Sequence, residues 1–198
     1  MASSVVNLNR VLNWTDFHTV TVPEPDEGEA GTAALTSAGF RVTGISFNPV
    51  PHTNPIEYKL KDSLIVTVQF NPDPDPANRS WKANWVTGLP AVQRNALLTH
   101  ERGHYKLTGL LARDCKNEMV ALRSQTYSDP QDGLDAVNAI IQNFLGSIQP
   151  LSDAYDESGQ TNHGQNANQQ VHWNSFMSSS LTTGTPILSV LSTAGISV

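Results

Sequence analysis

Residues 90–124 read PAVQRNALLTHERGHYKLTGLLARDCKNEMVALRS, and this stretch decides the fold. Leu97, Leu98, Tyr105, Leu107, Leu111, Cys115, Met119 and Leu122 recur in it at helical spacing. Pro90 stands at its start, where the missing N–H costs nothing. The spacing predicts one long helix through about Ser124. Inside it, His100 and His104 are four residues apart, about one turn, so their rings share a face. That separation suits two imidazole ligands on one tetrahedral zinc ion. Glu101 sits beside the first ligand, where a carboxylate can take a proton from an attacking water without binding the metal itself. Chance alone places two His and a Glu this way in on the order of one in a hundred chains of this length. The position within a strong helix, after a strand and a Pro-rich loop, favours the metal site.

Outward from this helix, the upstream half reads as strands. In residues 63–70, Leu64, Val66, Val68 and Phe70 alternate with Ile65, Thr67 and Gln69, the pattern of a strand with one buried face. Such a strand is either an inner one or an edge that pairs with an extended peptide. Asn71 through Pro76, alternating with proline, stops it. Residues 32–37 and 40–47 flank Ala38-Gly39 and predict a hairpin. Residues 5–20 predict an opening strand or packed turn, and residues 48–55, with three prolines, a loop. The acidic run Glu24, Asp26, Glu27, Glu29 reads as a solvated loop.

Downstream, Ser128-Asp129-Pro130 breaks the chain. A second helix is expected from near Gly133 through Ile148, a loop over 155–164, and a third helix over 165–180. Residues 181–198 read as a Ser/Thr-rich, loose tail. Strands first and helices after predict an α+β architecture: a small antiparallel or mixed sheet, then the long helix and further packed helices, zincin-like, in one domain over residues 1–180.

Composition narrows the function classes. The net charge of −6 comes without a Lys/Arg stripe, which argues against nucleic acid as a partner. No apolar run is long enough to span a bilayer. The start of the chain lacks the basic and apolar regions of an export signal, which suggests a cytoplasmic protein. The lone Cys115 lies on the apolar side of the long helix and reads as a core thiol.

Zinc catalysis needs a third protein ligand. Asp114 and Glu118 lie 10 and 14 residues past His104, about 15 and 21 Å along a straight helix, too far to share the ion. Of the four other histidines, His163 is favoured as the third ligand: it sits in a loop after a returning helix, beside the flexible Gly164. His18, His52 and His172 are less well placed. Tyr155 is the candidate donor to the reaction's oxyanion, against a plain packing role at a helix end. Asp156 is the candidate to orient a ligand imidazole from behind, against a solvated helix-end carboxylate.

Four stretches resemble a bacterial domain family of unknown function whose members are thought to be zinc-dependent proteases, usually exported. They are Leu12-Asn13-Trp14-Thr15-Asp16-Phe17, the Ala/Thr run at 32–36, Ser80-Trp81 with the His100-to-His104 segment, and Tyr155-Asp156 through Thr161-Asn162-His163-Gly164 with Gln169 and Trp173. Together they span about residues 8–180. Gly159-Gln160 is a small expansion within the last stretch, and the family's usual export signal has no counterpart here. The resemblance implies zinc hydrolase chemistry, a secreted or periplasmic location, and His163 in the metal site. It implies no particular substrate.

The combined expectation is a zinc metallopeptidase acting on a peptide or protein. His100, His104 and His163 bind the metal, Glu101 is the base, Tyr155 steadies the oxyanion and Asp156 stands behind a ligand. The alternatives are a zinc hydrolase of a non-peptide amide, and a non-catalytic domain that keeps the fold. The intact Glu101 argues against the last.

Overall fold

A computed structural model describes residues 5–21, 33–71, 73, 75 and 78–198. The acidic run at 24–29 and Pro72, Pro74 and Pro76 lie outside the described residues. The chain is mixed α plus β, with small sheets preceding a long helix.

Three strands, β1 (His18–Val20), β2 (Ala34–Leu35) and β7 (Trp81–Ala83), form a mixed sheet in the order β1-β7-β2. β1 runs parallel to β7 and β2 antiparallel to it. β3 (Ala38–Thr43) pairs antiparallel with β6 (Ile65–Phe70), Val42 facing Val66. β4 (Phe47–Pro49) and β5 (Tyr58–Leu60) make a separate two-stranded ladder.

The alternation read in residues 63–70 is real: Leu64, Val66 and Val68 are buried while Ile65 is exposed. β3 occupies one edge of β6, and on the other a single bridge forms, where Val6 donates to Val66 O at 2.9 Å and accepts from Val68 N at 3.0 Å. The hairpin expected across Ala38-Gly39 does not form. β2 and β3 belong to different sheets, because Ser80 wedges between them: Ser37 N donates to Ser80 Oγ at 2.8 Å and Ser80 Oγ donates to Ser37 O at 3.2 Å.

The long helix α1 spans Ala91–Ala121 and continues as a short 3-10 turn over Leu122–Ser124, with Pro90 at its N-cap. β3 and β6 pack against it, as do all four later helices. From Leu98 onward most of its residues are buried, so it is the axis of the core. α2 (Pro130–Gly146) starts three residues before the expected Gly133, because the Asp129 side chain caps Gln131 N at 2.7 Å and Pro130 fits the first turn.

Ile148, expected to end α2, instead opens α3 (Ile148–Asp156) after a bend at Ser147. Tyr155 and Asp156 therefore lie on a helix and not in a loop. α4 (Ala167–Thr183) matches the third helix read from sequence. The tail is not loose. It carries α5 (Ile187–Thr193), whose Ile187 and Leu191 are fully buried against α4 and α1. Cys115 is a core thiol, and burial together with nearby acidic groups pushes its pKa up to about 12. Among the described residues, no helix is long and apolar enough to cross a membrane.

Candidate metal centre

His100 and His104 project from one face of α1 toward the C-terminal end of α3. Their Nε2 atoms are 3.1 Å apart. Asp156 Oδ1 closes the triangle, 2.9 Å from His100 Nε2 and 3.1 Å from His104 Nε2. Zinc bonds of about 2.0–2.1 Å in a tetrahedron set neighbouring ligand atoms about 3.3–3.4 Å apart, so the three atoms approximate one face of that tetrahedron.

Three observations on the chain's own atoms test whether the site fits a cation. Asp156 Oδ1 is buried yet makes no well-directed hydrogen bond; both imidazoles approach it closely but are poorly aimed. Asp156 is the last residue of α3, where the helix dipole presents its negative end to a carboxylate and disfavours it unless a positive group sits nearby. Finally, both imidazoles have their Nδ1 atoms occupied. His100 Nδ1 faces Gln170 Oε1 at 3.3 Å, and His104 Nδ1 faces Ser152 Oγ at 2.9 Å. Gln170 Oε1 can only accept, so His100 donates through Nδ1–H and its Nε2 lone pair points into the triangle; where Ser152 accepts from His104 Nδ1–H, the second Nε2 lone pair points there too. The donor set fits a divalent metal.

With no cation bound, the electrostatics favour the other proton state, in which the His104 ring is protonated toward Asp156. Burial alone would raise the Asp156 pKa, but its contacts with His100 and His104 outweigh that and hold it well below the usual carboxylate range. For His104, burial favours the neutral ring. Asp156, Glu101 and Asp153 outweigh it and raise the pKa.

Asp156 and His163 lie differently from the expectations drawn from sequence. Asp156, expected behind a ligand, lies directly against both imidazoles. His163 is largely exposed, with Nδ1 3.8 Å from Asp156 Oδ1 at the outer edge of the cluster. The compact metal-ligating group among the described residues is His100, His104 and Asp156. His163 sits in a run of left-handed backbone, with φ of 48° at Asn162, 51° at His163 and 81° at Gly164. Gly164 is needed there twice over, because a Cβ would also come within 2.8 Å of His100 Cβ. Asp114 faces away from the site: it binds Arg113 and accepts from Ile187 N at 2.8 Å.

Tyr155 is fully buried and stacks on the His100 ring, centroids 4.7 Å apart and 5° from parallel. Its hydroxyl accepts from Gln170 Nε2 at 2.5 Å and donates to His100 O at 3.4 Å. Gly103 makes the contact possible, since a Cβ there would sit 2.1 Å from the phenol oxygen. The Tyr155 hydroxyl, the candidate oxyanion donor, faces the backbone of α1 and is already bonded, and its ring packs on His100.

Glu101 is buried, and Thr36 Oγ1 donates to its Oε2 at 2.6 Å. Sequence reasoning missed Thr36, Ser152 and Gln170. One signal was present: Ser152 and Asp156 are four residues apart and so share a face once α3 is recognised as a helix. No family model, curated protein or solved structure matches this chain.

Proposed function

We propose that this chain is a zinc-dependent hydrolase of the metallopeptidase type, in a zincin-like domain, with His100, His104 and Asp156 as the metal's protein ligands. The observation that carries this reading is the triangle of Nε2, Nε2 and Oδ1 atoms with edges of 2.9 to 3.1 Å, one of them an orphaned buried carboxylate oxygen. A zinc ion bound there supplies an acidified water and a Lewis acid for a carbonyl oxygen.

The chain's residues do the rest. Gln170 fixes the tautomer and tilt of the His100 ring, and Ser152 holds the tilt of the His104 ring. Tyr155, packed on His100, is a positioning residue that holds that ring in place. Glu101, steered by Thr36, takes the proton of the attacking water and passes it to the leaving amine. His163 stands at the solvent side of Asp156, where it can meet the polar atoms of an entering substrate.

The test is Glu101→Gln, which keeps the shape and removes the base. Zinc-loaded variant and wild type are compared on casein and on a mixed peptide library. The variant is expected to hold its zinc and lose about 10²- to 10⁴-fold in cleavage. Cleavage within tenfold of wild type would overturn the role of Glu101, and a zinc-loaded wild type that cuts no peptide would overturn the peptidase reading.

A further inference from the structure

A cavity of about 120 Å³ opens beside the metal centre, with His104, Ser152 and Thr36 forming the wall it shares with that centre. Its floor and far wall are Leu107, Thr108 and Leu111 of α1, Ile148 and Leu151 of α3, and Ala38 at the start of β3. Among the described residues, no Lys, Arg, Asp or Glu lines it. Much of the polarity at its mouth is already used: Thr36 binds Glu101, Ser152 faces His104, and the Gln149 amide donates to Asp153 at 2.7 Å.

We infer that this cavity is a specificity pocket for an uncharged side chain, up to leucine in size, on the residue next to the bond that is cut. The inference rests on the peptidase reading and names the substrate class for it. Position comes from the shared wall: a group seated against His104 and Thr36 is held next to both a ligand and the base. Size comes from the volume, since a dry cavity of about 150 Å³ accommodates benzene. A slightly smaller one takes an aliphatic chain and excludes an indole. Charge selection follows from the described lining, because a lysine or glutamate entering would lose its water against side chains that are mostly uncharged.

The test uses acetylated, amidated oligo-alanine peptides carrying one guest residue (leucine, lysine, glutamate or tryptophan) at each position in turn. They are titrated by calorimetry into zinc-loaded Glu101→Gln protein and offered to the wild type for cleavage. At one guest position leucine is expected to bind at least tenfold more tightly than the other three, in line with the 10- to 200-fold that about a methylene's worth of fit can confer. Ala38→Leu, which fills the cavity, is expected to erase that preference. Ile148→Ala, which enlarges the cavity, is expected to admit tryptophan. Circular dichroism confirms that each variant folds. Equal binding of leucine and charged guests, no binding of any guest, or an unchanged ranking in both variants would overturn the pocket. If the wild type cuts peptides without this ranking, the pocket falls and the peptidase reading stands. If Glu101→Gln ranks the guests as expected but the wild type cuts none, the reverse holds.

Discussion

Two polar clusters are buried along α1, about ten residues apart, and they are finished in opposite ways. At Arg113 and Asp114 the protein supplies every partner. Arg113 Nη2 meets Asp114 Oδ1 at 2.6 Å, Ser180 Oγ at 2.8 Å and Thr185 O at 2.9 Å, while Ile187 N donates to Asp114 Oδ2 at 2.8 Å. At His100, His104 and Asp156 three potential ligand atoms converge, and Asp156 Oδ1 has no well-directed donor. Buried polar groups are normally satisfied, and a half-satisfied group needs an explanation. The first cluster is a clasp that ties α5 to the core. The second is the cluster we propose a cation completes.

The comparison breaks if disrupting the two clusters has the same consequences. His100→Ala and His104→Ala are each expected to abolish stoichiometric zinc binding while the fold survives, as read by elemental analysis and circular dichroism. Asp114→Ala is expected to do the reverse. It strands a largely buried Arg113 and frees the start of α5, costing about 3–5 kcal/mol in chemical denaturation, yet the folded protein retains one zinc. A zinc-free but stable Asp114→Ala protein would remove the distinction. Smaller effects sharpen it: Ser152→Ala and Gln170→Ala, which release the Nδ1 side of each imidazole, are each expected to weaken zinc about 10- to 100-fold. Competition with a chromophoric chelator measures this.

Acid sharpens the comparison further. In the zinc-free protein the raised His104 pKa means that protonation of this ring favours the fold. That contribution is fully present below the ordinary imidazole pKa and is lost as pH rises through the raised value. Asp156 is shifted down, so its contribution is present above the ordinary carboxylate pKa and is lost as pH falls through its lowered value. Zinc binding needs the neutral ring and runs opposite to His104 protonation. Chelator titrations at several pH values are expected to show affinity falling on acidification from a pH above the ordinary imidazole value of about 6.5. A flat profile down to that value would contradict the Asp156–His104 contact.

The sequence made the clasp and the centre unequally legible. α1 and β6 carried regular apolar periods, and their positions and faces could be read directly; the position of α4 could be read but not its face, since Val171 is exposed. His100, Glu101 and His104 were legible because their relation is local, one turn of one helix. Asp156 was not, because its place depends on where α3 returns, and the bend at Ser147 leaves no break in the apolar pattern from Leu134 to Ile148. A loop at Tyr155 and Asp156 would favour His163, whereas the helix α3 carries Asp156 to the two imidazoles. The failed hairpin has a similar origin: residues 32–47 are contiguous in pattern, and Ser80, 43 residues downstream, separates their two halves. α5 was hidden in a Ser/Thr-rich stretch whose Ile187 and Leu191 find their partners only in the finished core. Asp129-Pro130 was a visible start signal for α2 that the apolar pattern overrode.

The central claim is that Asp156, and not His163, completes the zinc site with His100 and His104. Zinc content per chain after dialysis against a weak chelator, for wild type, Asp156→Ala and His163→Ala, tests it most directly. One zinc in wild type and in His163→Ala, and none in Asp156→Ala, is the predicted result. One zinc retained in Asp156→Ala with loss in His163→Ala, or no zinc bound by the wild type at all, would contradict it.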